Sequence, residues 1–352
     1  MISYGDITGF IKREKLYVFL LTFVILANFS LLLLNNVFKA AEPTQIFNKE
    51  IAADSGKIFD QKVMEAISSN QTLHAVFLFI ALIFLFLILA GLIIDTLFVS
   101  TRIMDKEPVA VTRTVSTADW GIWDIGKVII IFFFAESMVS LGAIYAALFL
   151  PDLPIEHNLQ MIMASTVLDV VAIAAIFYFV LRPGRQGIDS LGLTAKNMLL
   201  NIKYGVTAYV GLIPILLGVT LVAAALFKIF NIPVEPQQVV EMLKEETKTP
   251  SLIYMVVFAS FLGPFMEEIF FRGFVYGALR KKIGVLGSIL ASAVFFAYVH
   301  ANMASFMPIL SLGILLAYIY EKTGSLVSSV TVHIMHNSFM LVFLLFLKSI
   351  TN

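Results

Sequence analysis

The chain lacks cysteine and carries few charged residues. Its 352 residues contain no Cys, and Asp, Glu, Lys and Arg together make up 14% of them. The absence of thiols excludes disulfides, cysteine nucleophiles, thiolate metal ligands and S-palmitoylation. The net charge is zero, so no bulk charge favours nucleic acid as a partner. Hydrophobic residues reach 59%, with 32 Phe among them. That share is too high for a soluble domain and indicates a membrane protein.

Apolar segments close to the length of a bilayer-spanning helix recur along the chain. About 20 apolar residues are needed to cross the hydrocarbon core as a helix. The segments occupy residues 16–35, 73–99, 128–150, 159–181, 204–230, 251–279, 284–300, 306–320 and 326–347. The sequence therefore predicts an all-α fold, a polytopic membrane helix bundle of about nine transmembrane helices.

The connecting segments predict how the bundle is oriented. With the N-terminus inside, the inner segments carry 15 Lys and Arg residues and the outer segments carry 8. An excess of positive charge on the inner side favours this orientation. Trp120 and Trp123 stand just before the third apolar segment, a position typical of the aromatic belt at a membrane surface. We expect an integral membrane protein with its N-terminus inside.

A break in the apolar pattern divides the sequence into two regions. It falls after Arg182, where the chain continues as Pro-Gly-Arg-Gln-Gly and then a more polar stretch. Residues 1–182 are predicted to form a four-span membrane region of unknown role. Residues 183–352 hold the conspicuous polar groups and are predicted to carry the function. In the outer loop between the fifth and sixth apolar segments, one apolar stripe is formed by Val239, Val240, Met242 and Leu243. This stripe predicts a short helix lying on the membrane.

The most informative residues are two adjacent glutamates and an arginine in the sixth apolar segment. From Ser251 to Leu279 the only charged residues are Glu267, Glu268 and Arg272. Ionisable groups at this depth are costly and usually mark a functional site. On a helix Glu268 and Arg272 are i,i+4 neighbours and can pair. Glu267 is turned about 100° from Glu268, so we expect it to face elsewhere and to remain available for chemistry.

Histidines follow the glutamates in two later apolar segments. His300 ends the seventh segment, with Phe296 one turn before it, and His333 and Asn337 share one helix face in the last segment. His336 lies about 60° from His333, on the side away from Asn337. A lone membrane histidine usually serves packing. Three of the five histidines of this chain lie within 37 residues, however, and this clustering favours a site.

These residue types can support hydrolysis in two ways. A glutamate in an apolar pocket can act with a histidine to deprotonate a water molecule, while a second histidine and an amide stabilise the oxyanion. Two histidines and a glutamate are also a catalytic zinc set, for which Glu267, His300 and His333 are the candidate ligands. The residue types alone do not choose between the mechanisms. The i,i+4 placement of Asn337 after His333 suits two donors on one oxygen and favours activated water without a bound metal.

The three motifs together resemble the signature of the CPBP family, which comprises CAAX prenyl proteases of the Ras-converting type and bacterial relatives linked to bacteriocin processing and self-immunity. They are Glu267-Glu268-x-x-x-Arg272, Phe296-x-x-x-His300 and His333-x-x-x-Asn337, and the resemblance covers about residues 190–347. It implies an intramembrane endopeptidase. Glu267 would be the base assisted by His300, His333 and Asn337 would be oxyanion donors, and Glu268, Arg272 and Phe296 would support them.

The resemblance also implies the surroundings of the enzyme. Its substrate would be a membrane-associated or lipidated peptide or protein, and its location the plasma membrane of a prokaryote. The family has also been described as metalloproteases, so no cofactor is certain and zinc stays possible. A non-catalytic immunity or scaffold protein of the same fold is the main competing hypothesis, although a binder has no need of both the glutamate and the second histidine. A transporter would predict paired repeats with broken helices in both halves, and the N-terminal half has no matching motif.

Overall fold

The computed structural model describes residues 13–39, 61–104, 115, 118–150, 157–182, 187–232, 234 and 237–351. Their regular structure is helical throughout, which confirms the predicted all-α class. The main helices are α1 Lys15–Lys39, α2 Gln71–Ile103, α3 Ile122–Phe149, α4 His157–Val180, α5 Met198–Ile229, α6 Gln238–Glu245, α7 Thr249–Val257, α8 Gly263–Glu268, α9 Gly277–Val299, α10 Phe306–Thr323 and α11 Leu326–Thr351. A further helical stretch occupies residues 61–69.

Eight helical stretches of the described residues are long and apolar enough to cross a membrane. One of them, Thr249–Val299, has 51 residues, and as a single straight helix it would be about 77 Å long. That length is more than twice the hydrocarbon core of about 30 Å. Gly284 divides this stretch, because its φ of 72° and ψ of −176° are not helical. The two parts correspond to the apolar segments predicted at 251–279 and 284–300.

The chain forms two compact units. The first contains Met1–Lys62 and Trp123–Ile176, and the second contains Val63–Ile122 and Phe177–Asn352. In the first unit, the Nζ atom of Lys127 lies 3.0 Å from a carboxylate oxygen of Glu14. The second unit contains all the motif residues and also α2, which belongs by sequence to the N-terminal region. The division of roles at residue 182 stays a prediction.

Helix α5 lies against α2 and α11 in the second unit, and glycines allow the close approach. A Cβ atom built at Gly91 of α2 would lie 2.5 Å from the carbonyl oxygen of Val210 and 2.6 Å from Pro214. Since Pro214 has no N–H, it cannot bond the carbonyl of Val210 one turn earlier. A Cβ atom at Gly205 would lie 2.7 Å from the carbonyl oxygen of Ser328 in α11. Only glycine fits at these two contacts.

The glutamates stand on a single short α-helix between two wider turns. Phe258–Leu262 and Ile269–Tyr276 have π-type hydrogen bonding and flank α8 on its two sides. Turns of this kind inside helices are rare and often occur at functional sites. Beside them lies a buried apolar cluster contributed by the elements around the site. Its members include Tyr209, Leu212, Phe271, Phe296, Leu312, Leu316 and Val332.

Two sequence expectations meet the structure differently. The apolar stripe of α6 exists, but it faces the protein, since Met242 and Leu243 are buried. Lys348 of α11 holds the end of α6 by donating hydrogen bonds to the carbonyl oxygens of Leu243 and Glu246. The expectation for Trp120 was wrong. Trp120 is only 3% exposed, because its indole N–H finds a backbone acceptor inside the protein.

We predict that Gly91→Ala lowers the thermal unfolding midpoint of the detergent-solubilised protein. The added methyl group would force α2 away from Val210 and Pro214, and overpacking of this kind costs about 1–3 kcal/mol. Gly218→Ala in α5 is the matched control, since a Cβ atom there meets nothing within 4 Å. The control should melt at the wild-type temperature or above it, because alanine favours helix over glycine. Equal midpoints for the two variants would contradict the close contact.

Candidate active site

Glu268 and Arg272 form a fully buried ion pair. Both side chains are 0% exposed, and the Nη1 atom of Arg272 lies 2.8 Å from the Oε1 atom of Glu268. The i,i+4 pairing predicted from the sequence is confirmed. Arg272 also donates from Nη2 to the carbonyl oxygen of Gly313 at 3.3 Å, and its guanidinium carbon lies 4.4 Å from the ring centre of Phe296. The buried positive charge thus has a carboxylate, a carbonyl and an aromatic face around it.

The same carboxylate oxygen of Glu268 also binds His333. The Nδ1 atom of His333 lies 2.9 Å from Oε1 of Glu268. Oε1 of Glu268 already accepts from Arg272, and with this carboxylate oxygen as the acceptor the proton of the second bond lies on Nδ1 of the imidazole. The bond fixes the tautomer and turns Nε2 toward Glu267. Sequence reasoning missed this contact, since nothing in a separation of 65 residues indicates it.

Glu267 presents a different environment from its neighbour. Its side chain is 33% exposed, and its Oε2 atom lies 3.8 Å from the Nε2 atom of His333. That distance is too long for a hydrogen bond. Among the described residues, the Oε2 atom of Glu267 is buried and has no hydrogen-bond partner. Oε2 of Glu268 is likewise buried without a hydrogen-bond partner among the described residues. The two glutamates differ in that Oε1 of Glu268 accepts twice, whereas Glu267 is partly exposed and its Oε2 lies beside Nε2 of His333.

Phe296 connects the remaining histidine to this group. The Nδ1 atom of His300 lies 2.7 Å from the carbonyl oxygen of Phe296, and the two rings are 4.6 Å apart. Phe296 also borders His333, whose ring centre is 5.5 Å away, and the guanidinium of Arg272. One buried aromatic ring thus borders both imidazoles and the guanidinium. A carbonyl acceptor requires the proton on Nδ1 of His300, which leaves its Nε2 as the other polar position of the ring.

Asn337 is tied to the first wide turn. Its Nδ2 atom donates a hydrogen bond to the carbonyl oxygen of Ala259 at 2.9 Å. This contact joins α11 to the segment just before the glutamates. An amide nitrogen has two hydrogens, so one N–H remains for another acceptor. Asn337 thus lies on the same helix as His333 and contacts the turn that precedes the helix of Glu267. Its expected role as an oxyanion donor stays a prediction.

A cavity of about 490 Å³ lies in the second unit, and its lining includes none of Glu267, His300, His333 and Asn337. His336, one turn after His333, is one of its few polar lining residues, and Ser305, shortly after His300, is another. The sequence left His336 without a role. Its 60° offset from His333 was the only signal that it faces another space. The remaining polar lining residues are Tyr209, Thr220 and Gln237, and most of the rest are apolar.

The predicted zinc ligands do not form a metal site in this arrangement. A catalytic zinc ion needs three protein ligands within about 2.0–2.2 Å. Among the described residues, no three His, Asp or Glu side chains are grouped so that they could hold a metal ion. Glu267, His300 and His333 therefore do not fit the zinc alternative as placed here, and we derive no step through a metal.

Comparisons with known proteins match the region that holds the motifs. Residues 249–339 match the family described as Type II CAAX prenyl endopeptidase Rce1-like. The chain is also 32% identical over 88 residues to a protein of Bacillus subtilis (strain 168) named "Putative membrane peptidase YdiL". The match covers 25% of this chain and 36% of that relative, so it spans about a third of the relative's length. No solved structure matches the chain. The family match covers the glutamate, histidine and asparagine motifs, and the two matches confirm the resemblance to the CPBP family.

We predict that Glu268→Gln destabilises the protein far more than Glu267→Gln does. The first change leaves Arg272 buried without its charge partner, a loss of about 3–5 kcal/mol. The second alters a partly exposed side chain that makes no hydrogen bond through Oε2, and should change stability by about 1 kcal/mol at most. Thermal unfolding of the two purified variants gives the comparison. If Glu267→Gln were the less stable of the two, the assignment of the structural glutamate would be reversed.

Proposed function

We propose that the protein is an intramembrane endopeptidase that hydrolyses a peptide bond with a water molecule activated by Glu267. The observation that carries the proposal is the unbonded, buried Oε2 atom of Glu267, 3.8 Å from Nε2 of His333. The carboxylate of Glu267 and the imidazole of His333 are close but make no hydrogen bond to each other. Both can therefore act on a water molecule and a substrate carbonyl group placed between them. The two comparisons support a protease.

Glu267 accepts a proton from water as the water oxygen bonds to the scissile carbonyl carbon. The electron pair of the carbonyl double bond moves onto its oxygen, which becomes the oxyanion. Glu267 then returns the proton to the leaving nitrogen as the C–N bond breaks and the carbonyl re-forms. His300 assists by holding the water through Nε2, since its Nδ1 is committed to the carbonyl oxygen of Phe296. No covalent bond between protein and substrate is required.

His333 and Asn337 stabilise the oxyanion in this proposal. For Nε2 of His333 to donate a hydrogen bond, the imidazole must be protonated on both nitrogens. Glu268, bonded to Nδ1, holds the imidazole so that Nε2 faces the site. Arg272 in turn holds the carboxylate of Glu268 in place. The second N–H of Asn337 is the other donor. Glu268 and Arg272 therefore act on the reaction only through His333.

The substrate is proposed to be a membrane-associated or lipidated peptide or protein. The cavity that His336 and Ser305 line has mostly apolar side chains around it, from helices long and apolar enough to cross a membrane. Such a cavity can take an apolar part of the substrate, while the few polar groups orient it. The bilayer is then the second partner, since the substrate must reach the site from within it or from its surface. The inside location of the N-terminus and the prokaryotic plasma membrane belong to the same proposal.

We predict that Glu267→Gln abolishes cleavage while the protein stays folded, because the amide keeps the shape of the side chain but cannot take a proton. Mass spectrometry of peptides from membranes with the wild-type protein or with this variant measures the effect. Glu245→Gln, at an exposed position of α6, is the matched control and should give the wild-type peptides. The same peptides from the Glu267→Gln membranes would contradict the role of Glu267 as the base, and they are also the result expected of a non-catalytic binding protein.

We predict that activity in protein purified without added metal persists in the presence of a chelator. This follows from the proposed roles of Glu267 and His333, which need no ion. The measurement combines elemental analysis of the purified protein with turnover before and after chelation. Stoichiometric zinc, together with activity that is lost on chelation and restored by zinc, would contradict the water mechanism and favour the zinc alternative.

A further inference from the structure

Trp120 makes a specific contact with the wide turn that contains Arg272. Its indole N–H donates to the carbonyl oxygen of Phe274 at 2.8 Å, and its ring stacks on that of Phe274 with centres 5.6 Å apart and planes at 14°. Trp120 is 3% exposed and Phe274 is fully buried. The carbonyl of Phe274 also accepts from the N–H of Gly277. The indole therefore binds at the point where the wide turn Ile269–Tyr276 ends and α9 begins.

The packing of this contact leaves no spare room. A Cβ atom built at Gly277 would lie 3.3 Å from the indole ring and 3.6 Å from the Cβ atom of Ala118. On the other side of the turn, a Cβ atom at Gly273 would lie 3.0 Å from the carbonyl oxygen of Leu191. The turn is thus enclosed by two segments that lie outside the matched residues 249–339. Of the neighbours Trp120, Ala118 and Leu191, Trp120 both stacks on the turn and donates a side-chain hydrogen bond to it.

The width of the turn decides where Arg272 stands. A π-type turn places one more residue in its hydrogen-bonded loop than an α-helical turn does. If the turn relaxed to α-helix, the residues beyond it would rotate by about 100° relative to α8. The contacts of Arg272 with Gly313 and of Tyr276 with Glu321 could not both survive that change. Through Arg272 and Glu268, the change would reach the tautomer and the position of His333.

We infer that Trp120 is a positioning residue of the active site, which holds the turn Ile269–Tyr276 in its wide form and thereby keeps Arg272, Glu268 and His333 in register. The inference rests on the proposed function for its effect on catalysis, but its structural part can be tested without any substrate. The inference assigns a role in the site to Trp120, a residue of the segment before α3 that belongs to none of the three motifs.

Amide hydrogen exchange on the full-length protein in lipid nanodiscs tests the structural part. Trp120→Phe keeps an aromatic ring that can stack on Phe274 and removes the N–H donor together with one ring of the indole. Amides of residues 269–277 should then exchange about tenfold faster, as expected for a turn that has lost a hydrogen bond. Amides of Phe306–Thr323 should not change. Trp123→Phe, at a position that is 73% exposed, is the matched control and should match the wild type. Equal exchange of residues 269–277 in both variants would overturn the inference.

Steady-state kinetics on a peptide identified from the membranes tests the catalytic part. Trp120→Phe should lower kcat about tenfold or more, as small displacements of catalytic groups do, while KM stays within about twofold because the cavity is not touched. An unchanged kcat would overturn the inference even if Glu267→Gln is inactive. If the wild type shows no cleavage, the proposed function fails, and the exchange measurement still decides the inference.

A second variant covers the case in which Trp120→Phe yields little folded protein. Gly277→Ala keeps Trp120 but displaces its ring, since the new methyl group would lie 3.3 Å from it. This variant should reproduce the faster exchange and the lower kcat. Gly126→Ala is its control, because a Cβ atom there meets nothing within 4 Å. If Gly277→Ala behaves like Gly126→Ala, the contact does not position the site and the inference is wrong.

Discussion

The buried carboxylate of Glu268 is the interaction on which the site depends. A charge in an apolar interior is tolerated only when opposite charges and hydrogen bonds surround it. Here one oxygen, Oε1, accepts from both Arg272 and His333, so a single group joins the glutamate helix to α11. Arg272 extends the link to α10 through the carbonyl of Gly313. Removing this carboxylate would leave a buried guanidinium without its charge partner, and the imidazole beside Glu267 without its hydrogen bond.

The surrounding helices fix the position of this ion pair relative to α10 and α11. The glutamates stand on one short helix between two wide turns, and each turn is held from outside. Asn337 binds the first turn at Ala259, and Trp120 binds the end of the second at Phe274. Beyond it, Tyr276 and Arg280 both bind the carboxylate of Glu321 on α10. Irregular backbone inside a membrane is tolerated where protein groups satisfy it, and here those groups come from distant parts of the chain.

The site itself was predictable to a large extent, and the reason is energetic. Charged and imidazole side chains are so rare in bilayer-length apolar segments that each of Glu267, Glu268, Arg272, His300 and His333 stood out in the sequence. Helical spacing was sufficient to predict the pairing of Glu268 with Arg272 and the different direction of Glu267. It could not predict the bond between His333 and Glu268, since the relative rotation of two helices depends on packing between them. The roles of these residues in catalysis stay proposals.

By itself, the sequence determined the membrane class, the helical spans and the residues of the candidate site, because these follow from local composition and from a fixed helical period. Only the tertiary structure decided which groups meet. Trp120 shows the difference most clearly. Its position before an apolar segment predicted a place at the membrane surface, whereas in the folded chain its N–H reaches a carbonyl 154 residues away. A donor and an acceptor so distant in sequence leave no periodic signal, so their contact appears only once the helices have packed.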